Sequence, residues 1–189
     1  MGIKGKIMNQ TQTETEIKVF LASSSELDIE RAHIGDLFND INSLIADTPV
    51  RVRLLKWEVF DPLFKGERKQ SEYDQQVKKS DIFIALFRSK AGKFTLEEVD
   101  VAIAAYTHNQ RPQELYCFIQ DWQEKRELDV DELKAKLSAD YVTDSFTDIK
   151  DLKLKLIKIL IPRLCACGIT VSETDKFIQI GSVNLLRKP

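Results

Sequence analysis

The sequence contains few of the residues that build metal or redox sites. Its 189 residues include two histidines and three cysteines, Cys117, Cys165 and Cys167. An odd number of cysteines with a single C-x-C pair provides neither a disulfide framework nor the spaced pairs of a zinc site. We therefore expect no metal site, and this cysteine usage fits a reducing, cytoplasmic compartment.

Long apolar runs and an excess of one charge are also missing. No run approaches the roughly 20 apolar residues that span a bilayer, and the N-terminal segment lacks the apolar core of a secretory signal. The net charge of -2 favours neither nucleic acid nor an anionic membrane as a partner. We expect residues 1–15 to form a disordered leader before a cytoplasmic domain.

Three common catalytic motifs are absent as well. The sequence has no G-x-x-x-x-G-K-[ST] phosphate loop, no G-x-G-x-x-G dinucleotide fingerprint and no G-x-S-x-G nucleophile elbow. A Ser-His-Asp triad would have to use His33 or His108, which both fall in predicted helices rather than after strands. These absences argue against the enzyme classes that carry these motifs.

The apolar pattern predicts strands and helices in alternation. "IKVFLAS" and the nearly all-apolar "DIFIALF" are typical of buried parallel strands. The alternation predicts an α/β fold with a central five-stranded parallel sheet and helices on both faces, over residues 16–168. Pro162 should kink or end the last helix. In the C-terminal extension, 169–189, the pattern predicts one or two strands around Gly181, as an added hairpin or the start of a following domain.

Ligands of such folds bind beyond the carboxyl ends of the strands, where this sequence has several polar and aromatic residues. Ser23 and Ser24 follow the first strand, and backbone N–H groups at a helix start there could hold a phosphate. Plain helix capping is the alternative for this pair. Trp57 follows the second strand, where it would stack on a purine or pyridine ring or else serve in core packing.

Two adjacent carboxylates, Glu97 and Glu98, open the third predicted helix. Thr95 with Glu98 three residues on is a capping-box pattern, which is the structural interpretation. Helical geometry nevertheless separates the two carboxylates, because Glu97 falls on a polar, solvated face. Glu98 shares its face with Ala102 and Ala105, small residues that can pack closely on a sheet. Glu98 is therefore the candidate catalytic residue, and capping is the alternative.

Taken together, these segments resemble the TIR domain family in its bacterial form, over about residues 17–168. "IKVFLASSSELDIER" is similar to its first strand and loop. "WEVFDPLFKGERKQSEYDQQVKKSDIFIALF" is similar to strand two, the BB loop, helix B and strand three, and "GKFTLEEVDVA" to the start of helix C. Glu98, followed by Val99 and then Ala102, fits the family register, whereas Glu97 does not. The arrangement is most similar to TIR domains of prokaryotic defence systems.

The resemblance implies a flavodoxin-like TIR fold and an NAD⁺ glycohydrolase acting in antiphage defence or signalling. NAD⁺ would be the substrate, with no further cofactor. Glu98 would stabilise the oxocarbenium-like transition state while the ribose–nicotinamide bond breaks. The loop from Asp61 to Gln70 and Trp57 would form a wall that closes on the nucleotide. The expected substrate-binding residues are Ser23, Ser24, Trp57, Asp61, Lys90 and Lys93, the two lysines on their charge and position alone.

The resemblance also implies partners. TIR sites are often completed by the BB loop of a neighbouring copy, so we expect a homo-oligomer with TIR–TIR contacts that is activated by self-assembly, together with a sensor domain or partner protein. Two alternatives stay open. One is a non-catalytic TIR scaffold that acts by homotypic contact, and the other a nucleoside deoxyribosyltransferase-like enzyme whose carboxylate is a nucleophile. Whether the product is linear or cyclic ADP-ribose is also open.

Overall fold

The computed structural model describes residues 14–56, 70–121, 128–138 and 141–188. Strands and helices alternate along the chain as the sequence predicts. In chain order they are β1 (Thr15–Ser23), a 3-10 turn (Ser25–Leu27), α1 (Asp28–Leu44), β2 (Val50–Leu55), α2 (Gln70–Lys79), β3 (Ile82–Phe87), α3 (Lys93–Thr107), β4 (Glu114–Gln120), α4 (Leu128–Ser138), β5 (Val142–Phe146), α5 (Ile149–Ala166), β6 (Val171–Glu173), β7 (Phe177–Ile180) and β8 (Val183–Arg187).

The first five strands form one all-parallel sheet in the order β2-β1-β3-β4-β5. Apolar residues of α1 and α5 cover one face of this sheet, and those of α2, α3 and α4 cover the other. The predicted five-stranded α/β fold of flavodoxin-like arrangement is thereby confirmed. The strand order reverses direction between β1 and β3, so the carboxyl ends of these two strands flank the topological switch point, where ligands of such sheets bind.

Burial on both faces explains why the central strands are almost wholly apolar. Every residue of β3 is buried, and β1 is buried from Val19 to its end at Ser23. The rings of Phe20 and Phe83 stack across β1 and β3 with their centroids 5.7 Å apart. This packing fixes the relative position of the two strands whose ends flank the switch point.

Pro162 does not end α5. The helix continues to Ala166, and it terminates where Gly168 adopts a φ of 83°. The N–H groups of Gly168 and Ile169 bond back to Cys165 and Leu164, which is the Schellman arrangement. Leu164, in the last turn, is fully buried. Packing of this turn on the core therefore outweighs the loss of one helical hydrogen bond at the proline.

The C-terminal extension forms β6, β7 and β8, a three-stranded antiparallel sheet. Gly181, at a φ of 59°, makes the turn between β7 and β8, a conformation that glycine adopts without steric cost. Ile178 and Ile180 are buried in the same apolar cluster as α1 and α5. The extension thus has three strands rather than the one or two predicted around Gly181, and they pack on the core of the parallel sheet.

Parts of the sequence predictions fall at or beyond the limits of the described residues. β1 begins at Thr15, one residue before the predicted start of the domain, and residues 1–13 of the predicted leader lie outside the described part of the chain. Within the described ranges, no helix combines the length and the apolar character that crossing a membrane requires.

The free edge of β2 carries a hydrogen-bonded clamp from α1. Asn42 Nδ2 donates to Val52 O at 2.8 Å, and Val52 N donates to Asn42 Oδ1 at 2.9 Å. We expect Asn42→Ala to lower the free energy of unfolding by about 1–3 kcal/mol, because it removes both bonds to a sheet edge. Thermal or urea denaturation measures the loss. Asn39→Ala, an exposed position on the same helix, is the matched control, and equal stability of the two variants would contradict the clamp.

Candidate functional site

The loops that follow β1 and β3 lie side by side at the carboxyl edge of the sheet. In the sheet register Ser23 pairs with Leu86, so both loops leave the sheet at the same level. The first loop runs through Ser24 into the 3-10 turn, and the second connects β3 to α3, which packs on β1 and β3. The predicted site residues that follow these strands therefore lie at the switch point of the sheet.

The serines after β1 are supported from behind by a buried arginine. Arg31 Nη1 donates to Ser23 Oγ at 2.8 Å and to Ser24 O at 2.9 Å, and the Arg31 side chain also pairs with Asp28. Arg31 is only 1% exposed, so its charge needs these acceptors. The buried guanidinium thus fixes the backbone at the end of β1.

Helix capping, the alternative for the serine pair, is wrong for this structure. The Ser24 hydroxyl donates to Glu26 Oε1 at 3.1 Å rather than accepting from a helix N–H, and α1 begins at Asp28 with Leu27 as its N-cap residue. The 3-10 turn separates the serines from the helix, which is the physical reason for the difference. Whether the serines bind a phosphate remains a prediction.

Glu26 links the two loops. Its Oε1 accepts from Ser89 N at 2.9 Å and from Lys90 N at 3.2 Å, and its Oε2 accepts from Ser89 Oγ at 2.6 Å. Burial on its own would raise the pKa of Glu26, but the hydrogen bonds from Ser89, Lys90 and Ser24 together hold that pKa below its ordinary value. The carboxylate is thus held in its charged form by the loop after β3.

Arg88 makes a second link beneath the first. Its Nη1 donates to Glu26 O at 3.0 Å, its Nη2 pairs with the carboxylate of Glu30, and its Nε donates to Gln120 Oε1 at the end of β4. Glu30 is 5% exposed, and its Oε2 has no hydrogen-bond partner among the residues that the structure describes. One guanidinium therefore joins the 3-10 turn, α1 and β4 at the end of β3.

Glu98 lies in the second turn of α3. The helix begins at Lys93 with Gly92 as its N-cap residue, so Thr95 is already inside the helix and the predicted capping box is wrong. Glu98 is 3% exposed, and Val99 and Ala102 beside it are buried. Glu98 therefore caps no helix, and buried carboxylates concentrate at functional sites.

The neighbouring Glu97 lies on a different, more polar face of α3, as predicted. Its side chain is 38% exposed, and its carboxylate lies 4.0 Å from the ammonium of Lys93. The Lys93 side chain is 84% exposed, so in this structure its charge pairs with Glu97 at the surface. An exposed pair of this kind contributes little to stability.

The structure brings together only some of the predicted substrate-binding residues. Ser24 and Lys90 meet through the Glu26 carboxylate, and Lys90 takes part by its backbone N–H rather than by its ammonium. Trp57 and Asp61 lie outside the described residues. In the described part of the chain, no group of three or more His, Cys, Asp or Glu side chains could hold a metal ion.

Sequence reasoning missed Glu26, Arg31 and Arg88 as members of this site. A signal was nevertheless present, because "SELDIER" places charged residues of both signs directly after a buried strand, and Arg88 directly follows the all-apolar β3. Charged residues at the ends of central strands are candidates for buried pairs at the switch point.

Comparisons with known proteins complete this description. The sequence matches no protein-family model and no curated protein. Among solved structures, a CMP N-glycosidase from Clostridium botulinum, BcmB, is 17% identical with a TM-score of 0.45, covering 76% of this chain and 99% of that one. The flavodiiron core Flv1 from Synechocystis sp. is 15% identical with a TM-score of 0.41, covering 78% of this chain and 34% of that one. Likeness at this level carries no information on what this chain binds or does.

The charge of Glu26 generates a pH-dependent prediction. Because its pKa is lower in the folded chain than in the unfolded one, its charged form stabilises the fold at neutral pH. That contribution is lost as the pH falls through the lowered pKa. We expect Glu26→Gln to lower the free energy of unfolding by about 1 kcal/mol at pH 7, with the difference from the parent chain closing below about pH 4. Urea denaturation over a pH series measures the free energy of unfolding of the parent chain and of Glu26→Gln. A difference between the two that does not depend on pH would contradict the role of the Glu26 charge.

Proposed function

We propose that this chain is an NAD⁺ glycohydrolase of the TIR type, which releases nicotinamide from NAD⁺ and leaves ADP-ribose. The observation that supports this most directly is the burial of Glu98 on the face of α3 that packs toward the sheet. Its capping role, the competing interpretation, does not hold, because α3 begins at Lys93. A buried carboxylate in the family's catalytic register favours a role in chemistry.

One carboxylate is enough for this reaction. The nicotinamide of NAD⁺ is a cationic leaving group, so it departs as a neutral ring when the bonding electrons move to its nitrogen, and no general acid has to protonate it. The ribose then carries the positive charge as an oxocarbenium-like centre, which an adjacent anion stabilises. Water attacks the anomeric carbon, one proton is released, and the products are nicotinamide and ADP-ribose. Glu98 would provide the anion and hold the ribose hydroxyls.

The loops at the switch point would supply the rest of the site. Ser23 and Ser24 would line it beside β1, where Arg31 holds the Ser23 hydroxyl and the Ser24 carbonyl. Trp57 and the loop from Asp61 would cover the nucleotide. We further propose that the enzyme is cytoplasmic, needs no cofactor beyond its substrate, and becomes active in antiphage defence or signalling when copies assemble through TIR–TIR contacts.

The decisive experiment compares two adjacent carboxylates in clustered protein. We expect Glu98→Gln to reduce nicotinamide release by at least about 100-fold, because it removes the charge that stabilises the transition state. Glu97→Gln, the matched control on the exposed face of the same helix, should retain activity within about twofold, since exposed pairs contribute little. Nicotinamide release is followed by chromatography with protein clustered on a multivalent support, and thermal denaturation verifies that both variants are folded.

Three results would contradict the proposal in different ways. Equal activity of the parent chain and a folded Glu98→Gln variant would remove Glu98 from the chemistry. Absence of turnover in clustered protein, with homotypic binding that survives Glu98→Gln, would favour the non-catalytic scaffold. A covalent glycosyl adduct trapped on the carboxylate would instead indicate the deoxyribosyltransferase-like mechanism.

A further inference from the structure

The Glu26 carboxylate lies in a group of donors that is suited to an anion. Two successive backbone N–H groups, of Ser89 and Lys90, point at the same carboxylate oxygen, and the hydroxyls of Ser24 and Ser89 complete the four hydrogen bonds. Successive N–H groups that converge on one point form the nest by which proteins bind phosphate and other anions. In this structure the protein's own glutamate occupies that nest.

The nest also lies where an α/β sheet of this order binds ligands. Ser89 and Lys90 follow β3, Ser24 follows β1, and the switch point lies between these two strands. In doubly wound folds the phosphates of a nucleotide bind at the carboxyl ends of the strands beside this point. The donors are therefore in the position where a phosphate group would be bound, and they have the hydrogen-bonding capacity that it requires.

From this arrangement we propose that the Ser89–Lys90 loop is an anion subsite for a phosphate-bearing ligand, and that Glu26 occupies it in the free protein and must leave before the ligand binds. Two anions cannot share the same four donors, so the carboxylate and the phosphate compete. Identifying the ligand's phosphate as the diphosphate of NAD⁺ rests on the proposed function, whereas the subsite itself does not.

The surroundings of Glu26 allow this exchange without refolding. The Glu26 side chain is half-buried, so it can rotate into solvent. Arg88 holds the backbone carbonyl of Glu26 at 3.0 Å, independently of the carboxylate. The main chain of the 3-10 turn is thus held while the side chain leaves, and the two N–H groups stay directed at the vacated position. Only the small fraction of molecules whose Glu26 carboxylate has left the nest can bind a phosphate, and the apparent affinity is reduced by that fraction.

The test is a titration with inorganic pyrophosphate, followed by the amide resonances in nitrogen-15 NMR spectra. We expect Glu26→Gln to bind pyrophosphate at least about tenfold more tightly than the parent chain, since the competing charge is gone. The amides of Ser89 and Lys90 should shift in both proteins, at higher pyrophosphate concentration in the parent chain. Glu97→Gln changes the net charge equally without touching the nest, so its affinity should equal that of the parent chain.

Several outcomes would overturn the subsite. The subsite is ruled out if Glu26→Gln binds pyrophosphate no more tightly than Glu97→Gln does. It is also ruled out if the shifts are confined to amides other than those of Ser89 and Lys90. If Glu26→Gln does not fold, the parent chain is the test. Its Ser89 and Lys90 amides must then shift saturably at high pyrophosphate concentration, and the subsite is ruled out if they do not.

The proposed function is tested separately from the subsite. It fails if clustered parent protein releases no nicotinamide although the pyrophosphate results hold. With turnover present, the KM for NAD⁺ should fall about tenfold in Glu26→Gln, and an unchanged KM would separate the subsite from NAD⁺.

Discussion

The pair of links made by Glu26 and Arg88 fixes the geometry of the whole switch-point region. Parallel strands bring the loops after β1 and β3 into proximity, but the sheet alone does not determine how the loops are arranged above it. Glu26 accepts from the backbone of Ser89 and Lys90, and Arg88 donates to the backbone of Glu26, so each loop holds the other. Hydrogen bonds to charged groups are stronger than neutral ones, and here each joins a charged side chain of one loop to the main chain of the other.

This region also contains buried charged side chains. Glu30 and Arg31 are both less than a tenth exposed, and they bond to Arg88 after β3 and to Ser23 at the end of β1. Apolar residues of the same volume would give a more stable core, because the attraction within a buried ion pair offsets only part of its desolvation penalty. These buried charges lower stability at the point where such sheets bind ligands. A local loss of stability of this kind is expected of a functional site.

A carboxylate that competes with a ligand gives the site a simple control. The donors of the Ser89–Lys90 loop are satisfied in the free protein, so the loop keeps its shape before any ligand arrives. The ligand then needs to displace one side chain instead of ordering a loop. Preorganised donors lower the entropy cost of binding, while the competing charge lowers the affinity.

The amino-acid sequence by itself determined the order of strands and helices, the parallel sheet and the separation of Glu97 from Glu98. These follow from apolar periodicity, which is a property of neighbouring residues. The tertiary structure decided the start of α3, which removed the capping role of Glu98, and it decided what the serine run and Glu26 do. The physical reason is distance along the chain: Glu26 and Ser89 are 63 positions apart, and Arg88 and Gln120 are 32 apart. No local pattern records which donor reaches which acceptor across such separations, because that is fixed only when the strands pair and their ends are brought together.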